Sequence, residues 1–206
     1  MTQIFRIHPE NPQARLIKQA ADIIRKGGVV VYPTDGAYAI GCAIGNKTAL
    51  DRIIQIRRLD EKHNFTLMCR DLSELATYAR VSNVVYRLLK HNTPGPYTFI
   101  LRATAEVPRR LMHPKRKTVG LRVPDSPITL ALLEEMNEPM MTATIQMPDD
   151  EYPMIDPEEM LSVLSNRVDL VIDGGWGDMT CTTVIGLEDD VPEIIREGNG
   201  DPAPFL

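Results

Sequence analysis

Fifteen residues, Gly27 to Gly41, restrict the fold more than any other stretch of this chain. Two glycines close a helical pattern. The apolar run Val29 to Tyr32 then reads as a buried strand, and Pro33 stops it. Thr34, Asp35 and Gly36 form a polar turn, and a second apolar run, Ala37 to Ala43, follows. A strand that turns straight back predicts a hairpin and therefore some antiparallel pairing. A strand end carrying a hydroxyl and a carboxylate suits a polar ligand, and suits equally a hairpin tip that is merely polar.

Around this hairpin, helical and strand patterns mix. Gln3 to Ile7 reads as a short edge strand. Asn11-Pro12 predicts a helix start, and the helix runs to about Lys26. Thr48 to Arg57 is helical, and the polar run Arg57 to Asn64 reads as a loop. Phe65 to Cys69 is a strand, Asp71 with Glu74 makes a capping box, and Ser82 caps a helix to about His91. Further strands are expected at Tyr97 to Arg102, Thr118 to Val123, Pro139 to Thr144 and Val168 to Ile172, with Thr182 to Ile185 and Glu193 to Arg196 as a last pair. Helices start at Ser126-Pro127 and Asp156-Pro157, and Glu106 to Lys117 is basic and loop-like. With no repeat and no low-complexity linker, residues 1–206 read as a single domain. The expectation is an α/β fold with a mixed sheet rather than a clean βαβ series.

The chain has 206 residues, of which 43% are apolar, enough for a sizeable core. No run of 18 apolar residues exists, so no membrane span is expected. Met1 to Glu10 lacks a signal-peptide core, and the three cysteines (Cys42, Cys69, Cys181) form no C-x-x-C pair. A reducing, cytoplasmic setting is expected. The net charge of −5 conceals a division. Residues 50–122 carry 15 Lys/Arg against 6 Asp/Glu, whereas residues 123–206 carry 2 against 19. A basic middle predicts either an anionic ligand (phosphate, nucleotide or RNA) or helix faces set against acidic neighbours.

The common phosphate loops, G-x-x-x-x-G-K-[ST] and G-x-G-x-x-G, are absent, as is H-E-x-x-H. His8, His63, His91 and His113 have no ligand spacing and read as ordinary histidines. A nucleotide site must therefore rest on scattered Arg, Lys and hydroxyl groups, with Mg²⁺ carried on the phosphates.

Six pieces in order resemble the YrdC/YciO family over about Gln13 to Gly198. They are Gly27-Gly28 with Tyr32-Pro33-Thr34-Asp35; Pro94-Gly95-Pro96-Tyr97-Thr98; Thr118 to Pro124; Val168-Asp169-Leu170 with Asp173-Gly174-Gly175; Thr182-Thr183-Val184; and Ile195-Arg196-Glu197-Gly198. His63 to Leu75 is most similar to the YciO branch. The resemblance implies a twisted mixed sheet with flanking helices and a basic concave face. It also implies the activity of a threonylcarbamoyl-adenylate synthase, a nucleotidyltransferase of tRNA modification that joins L-threonine, bicarbonate and ATP, with Mg²⁺ accompanying ATP. Carried over by position, Thr34, Arg122 and Thr182 are expected to bind the amino acid, with Arg122 on its carboxylate. Thr118 and Arg196 are expected at the nucleotide.

Two departures stand out. Where the family has a K-x-R pair, this chain has Gln55-Ile56-Arg57 followed by Arg58; the pair is either Gln55 with Arg57 or, in another register, Arg57 with Arg58. Where the family has S-x-N, this chain has Thr144 and Gln146, one methyl and one methylene larger; Gln146 also reads as the start of an acidic loop. Other functions therefore stand beside the synthase. One is an RNA-binding protein, for tRNA or double-stranded RNA, that keeps the fold without the chemistry. Few aromatic residues accompany the basic segment, which gives little support to base stacking. The other is an adenylating enzyme for a different small carboxylate.

Overall fold

A computed structural model describes residues 1–60 and 63–206. The chain begins with β1 (Gln3–Arg6). Helix α1 spans Ala14–Arg25, two residues later than Asn11-Pro12 predicts, and its N-cap is Gln13, with no side-chain cap. His8 takes over Asn11: its Nδ1 accepts from the backbone N–H of Glu10 (3.2 Å) and of Asn11 (3.1 Å). At the other end Gly27 adopts φ +89°. There the N–H groups of Gly27 and Gly28 donate to the carbonyls of Ile24 and Ile23, each at 2.9 Å, a left-handed close that glycine accepts without strain.

Strands β2 (Val30–Tyr32) and β3 (Ala39–Ala43) form the expected antiparallel hairpin, Val30 opposite Gly41 and Tyr32 opposite Ala39. Next come α2 (Lys47–Arg57), β4 (Thr66–Met68), α3 (Leu72–Tyr78), α4 (Asn83–Asn92), β5 (Tyr97–Arg102), β6 (Thr118–Arg122), α5 (Pro127–Met136), β7 (Met140–Thr144), α6 (Pro157–Val163), β8 (Leu170–Asp173), β9 (Thr183–Gly186) and β10 (Glu193–Arg196). Of the predicted loop Arg57 to Asn64, Glu61 and Lys62 lie outside the described residues. The described strands form one sheet in the order β1-β8-β2-β3-β7-β4-β6-β5-β9-β10. The pairs β1/β8, β8/β2, β4/β6 and β5/β9 are parallel. The others are antiparallel, so the sheet is mixed.

Alternation along the strands assigns each residue to a face. Val29 and Val31 join a core with Ile40, Leu67, Phe99 and Leu121, covered by Leu50 and Ile53 of α2, Leu75 of α3, Leu89 of α4 and Met160 of α6. Val30 and Tyr32 face the other way, against Ile17 and Ile24 of α1 and Ile128 and Leu132 of α5. On this second face α1 and α5 pack over Val30, Met68, Met140, Leu170 and Ile172. Two helices cannot span ten strands. One row of the same face runs in register Gly41–Thr142–Thr66–Gly120–Ile100–Gly186, and Thr142, Thr66 and Ile100 of that row line an open cavity.

The charge division along the sequence is partly offset in space. Arg52 pairs with Asp169 (2.7 Å), Arg58 with Asp149 (3.4 Å), Arg102 with Asp189 (2.7 Å) and Arg116 with Glu188 (3.9 Å). Each pair joins the basic middle to the acidic last third. Among the described residues no helix is long and apolar enough to cross a membrane.

Candidate functional site

Where the α1/α5 cover ends, threonines of the strands and the threonine just before β9 line open space. Five of them, Thr66, Thr98, Thr142, Thr144 and Thr182, line a cavity of about 500 Å³ together with Arg57, His63 and Arg196. A recess of about 50 Å³ shares the same five threonines and Cys181, and adds Arg122. No carboxylate side chain is among the described lining residues. Threonine satisfies both demands here: its branched β-carbon suits a strand, and its hydroxyl offers a donor and an acceptor. The hydroxyls of Thr98 and Thr182 lie 2.8 Å apart. The Tyr32 hydroxyl donates to Thr142 Oγ1 at 2.7 Å, and burial pushes the Tyr32 phenol pKa well up, so it serves as a neutral donor. Gly41 makes room for this bond: a Cβ there would lie 3.0 Å from both the Tyr32 hydroxyl and its ring.

The arginines are fixed from beneath. Arg57, at the end of α2, donates through Nη1 to the Gln146 carbonyl. Arg122, at the end of β6, pairs through Nη2 with Asp35 Oδ1, while Asp35 Oδ2 accepts from the Asp125 N–H at 2.9 Å. Both side chains of this ion pair are more than nine-tenths buried (8% and 9% exposed). Arg57 Nε and Arg122 Nε are buried and have no hydrogen-bond partner. A buried N–H left unpaired costs about 1–3 kcal/mol, a cost that an anion entering the cavity can relieve. Arg196 donates through Nε (3.3 Å) and Nη2 (2.9 Å) to the Thr182 carbonyl. Burial, then the Arg57 charge, holds the His63 pKa below its usual value despite Asp60, so His63 faces the cavity as a neutral ring at pH 7.

Of the residues singled out from sequence, the cavity gathers Arg57, Thr144, Gln146, Thr182 and Arg196, with Arg122 in the adjoining recess. The others are placed elsewhere. Gln55 is an exposed residue of α2; two positions from Arg57 is about 200° around a helix. Arg58 caps α2 with φ +49° and pairs with Asp149. Thr118 is buried at the start of β6, its hydroxyl without a partner. Thr34 lines a separate cavity of about 600 Å³ beside Asp35, Tyr38, Ser126 and Trp176. Its hydroxyl is held in its own turn, donating to the Ala37 carbonyl (2.7 Å) and accepting from the Gly36 N–H (3.1 Å). Gln146 Nε2 donates to the carbonyls of Asp150 (2.8 Å) and Glu151 (3.1 Å), which ties down the acidic loop.

Sequence reasoning passed over Thr66, Thr98, Thr142 and His63. Their signal was legible: Thr142 and Thr144 alternate with apolar residues in β7, as Thr98 does in β5. Asp35, read as a turn residue, is the counter-charge of Arg122. That partnership had no local signal, because 87 positions separate the two.

An open mixed α/β sheet with an uncovered face that combines threonine hydroxyls and arginines carrying unpartnered Nε groups defines the class of this domain. The chain belongs to the Sua5/YciO/YrdC family, whose model, described as "Telomere recombination", matches residues 22–198. It is 58% identical over 206 residues to the uncharacterised protein YciO of Escherichia coli strain K12, covering 100% of both chains. The crystal structure of E. coli YciO superposes with a TM-score of 0.96 over 100% of both chains. A threonylcarbamoyl-AMP synthase of Vibrio vulnificus strain YJ016 is 26% identical over 165 residues, which are 79% of this chain and 88% of that protein. P. abyssi Sua5 complexed with L-threonine is 25% identical with a TM-score of 0.87; the match takes 96% of this chain and 58% of that one.

Proposed function

We propose that this protein is a nucleotidyltransferase of the threonylcarbamoyl-adenylate synthase type that joins L-threonine, bicarbonate and ATP for tRNA modification. One observation carries the reading: the Nε groups of Arg57 and Arg122 are buried without partners, Arg57 on a threonine-lined cavity of about 500 Å³ and Arg122 on the recess of about 50 Å³ that adjoins it. The relatives named as a threonylcarbamoyl-AMP synthase and as a Sua5 complexed with L-threonine support the substrate class.

In this reading Arg122 takes the amino-acid carboxylate through Nε, which Asp35 leaves free, and Thr98 and Thr182 meet the substrate's polar groups. Arg57 and Arg196 take the phosphates, with Thr144 at the nucleotide. Bicarbonate takes up a proton and loses water to give carbon dioxide; the threonine amine adds to its carbon and loses a proton, giving a carbamate. A carbamate oxygen forms a bond to the α-phosphorus, the bond from that phosphorus to the bridging oxygen breaks, and pyrophosphate leaves. Two anions must meet, so the side chains' work is to offset repulsion and stabilise the charge developing on phosphorus. The carbamate is already anionic and needs no strong base. Among the described residues no group of three or more His, Cys, Asp or Glu could hold a metal, so Mg²⁺ would arrive on the triphosphate. Thr34 contributes indirectly, by shaping the turn that presents Asp35 to Arg122.

The test is pyrophosphate release by the purified protein. Release requiring threonine, bicarbonate and ATP together is the expected result. Release with another amino acid in a panel would move the reading to a different small carboxylate, and no amino-acid-dependent release would overturn it.

A further inference from the structure

A second cavity, of about 320 Å³, lies between the first turn of α2 and the loop that carries Arg109 to Leu111. Cys42 and Met141, opposite each other on β3 and β7, form part of its lining. They alternate with Gly41 and Thr142, so they face away from the threonine-lined site. Leu50 and Leu111 complete an apolar floor. Burial pushes the Cys42 thiol pKa up to about 12, which leaves it neutral at pH 7.

The mouth has the opposite character. Lys47 and Arg109 line it, and neither has an ion-pair partner among the described residues. Arg110 behaves differently: it pairs with Asp51 of α2 at 2.5 Å and fixes the loop to the helix. The Asn46 side chain accepts from the Ala49 N–H at 2.9 Å. The first-turn N–H groups of Lys47 and Thr48 are left without a helical partner. Nothing in the lining carries negative charge, and the floor offers no hydroxyl for a sugar or a nucleobase.

We infer that this cavity is a second ligand site, for a small amphipathic carboxylate. Its apolar body, of roughly eight to ten heavy atoms for a pocket of this size, rests on Leu50, Leu111 and Met141. Its carboxylate sits at the mouth, between Lys47, Arg109 and the start of α2. The charge at the mouth and the apolar floor each exclude part of the alternatives: a neutral lipid leaves the cations unpaired, and a polar anion leaves the floor uncovered.

The experiment is a titration of the full chain, followed by the methyl NMR signals of Leu50, Leu111 and Met141, with octanoate, butyrate and 1-octanol as probes. Octanoate is expected to saturate with shifts at these three residues, and butyrate and 1-octanol to bind at least about tenfold more weakly. The double variant Lys47→Glu/Arg109→Glu should weaken octanoate by at least about tenfold and leave octanol unchanged, with the circular dichroism spectrum retained. Absence of saturation by about 10 mM, shifts confined to other residues, or equal affinity for octanol and octanoate would overturn the inference. The comparison of the three probes needs no variant.

Discussion

A guanidinium held out of water needs a counter-charge, and Arg122 finds it in Asp35. Removing one partner of a buried pair leaves the other uncompensated, so Asp35→Asn is expected to lose about 3–5 kcal/mol of stability, read by urea unfolding. Arg122→Lys keeps the charge and loses the planar fork. Its threonine-dependent pyrophosphate release should fall at least about tenfold, with a smaller loss of stability. His63 gives the pH dependence. Its folded pKa lies below its unfolded one, so between the two the unfolded chain binds more protons. The cost to stability is absent above about pH 6.5 and grows as pH falls through that value toward the folded pKa. His63→Gln should flatten stability against pH in this window. An anion bound beside Arg57 should raise the His63 pKa, which an NMR titration with and without ATP would show.

At the scale of elements, β3 works because Gly41 has no side chain. A Cβ there would lie 2.6 Å from the Met141 carbonyl and 3.0 Å from the Tyr32 hydroxyl. Gly41→Ala should therefore cost about 1–3 kcal/mol by overcrowding and displace Tyr32 from Thr142; thermal unfolding and the Tyr32 ring shifts would report both. α3 shows how a local motif is adjusted in place. Asp71 caps the Glu74 N–H at 2.8 Å as the capping box requires. The Glu74 carboxylate, however, accepts from the Arg70 N–H at 3.1 Å, one residue before the cap. α1 is the corresponding miss: Asn11-Pro12 had the right chemistry for a helix start, but His8 took the Asn11 N–H and the helix began at Ala14.

For the whole molecule, the candidate site follows from incomplete cover. Helices α1 and α5 bury one part of their face of the sheet, and the part left open carries the threonines and arginines. A ligand bound only by the folded state should therefore stabilise the entire domain. At about 100 times its dissociation constant this amounts to about 2.7 kcal/mol, a rise of roughly 5–10 °C in Tm for a chain of this size. ATP and threonine together should give that rise in the wild type and a smaller one in Arg122→Lys.

The sequence by itself determined the elements, the hairpin at Gly27 to Gly41, the mixed character of the sheet and the family, because periodicity, turn residues and motif order are local or ordered along the chain. It also supplied six residues of the cleft and its recess: Arg57, Arg122, Thr144, Gln146, Thr182 and Arg196. Only the tertiary structure decided which groups remained free. The Thr34 hydroxyl is taken by its own turn, Asp35 by Arg122, Arg58 by Asp149 and the Gln146 amide by the acidic loop. Arg52, Arg58, Arg102 and Arg116 of the basic middle pair with the acidic last third for the same reason. Hydrogen bonds and ion pairs depend on distance in space, and the hairpin at Gly27 to Gly41 acquires its part in the site only when folding brings Arg122 to Asp35.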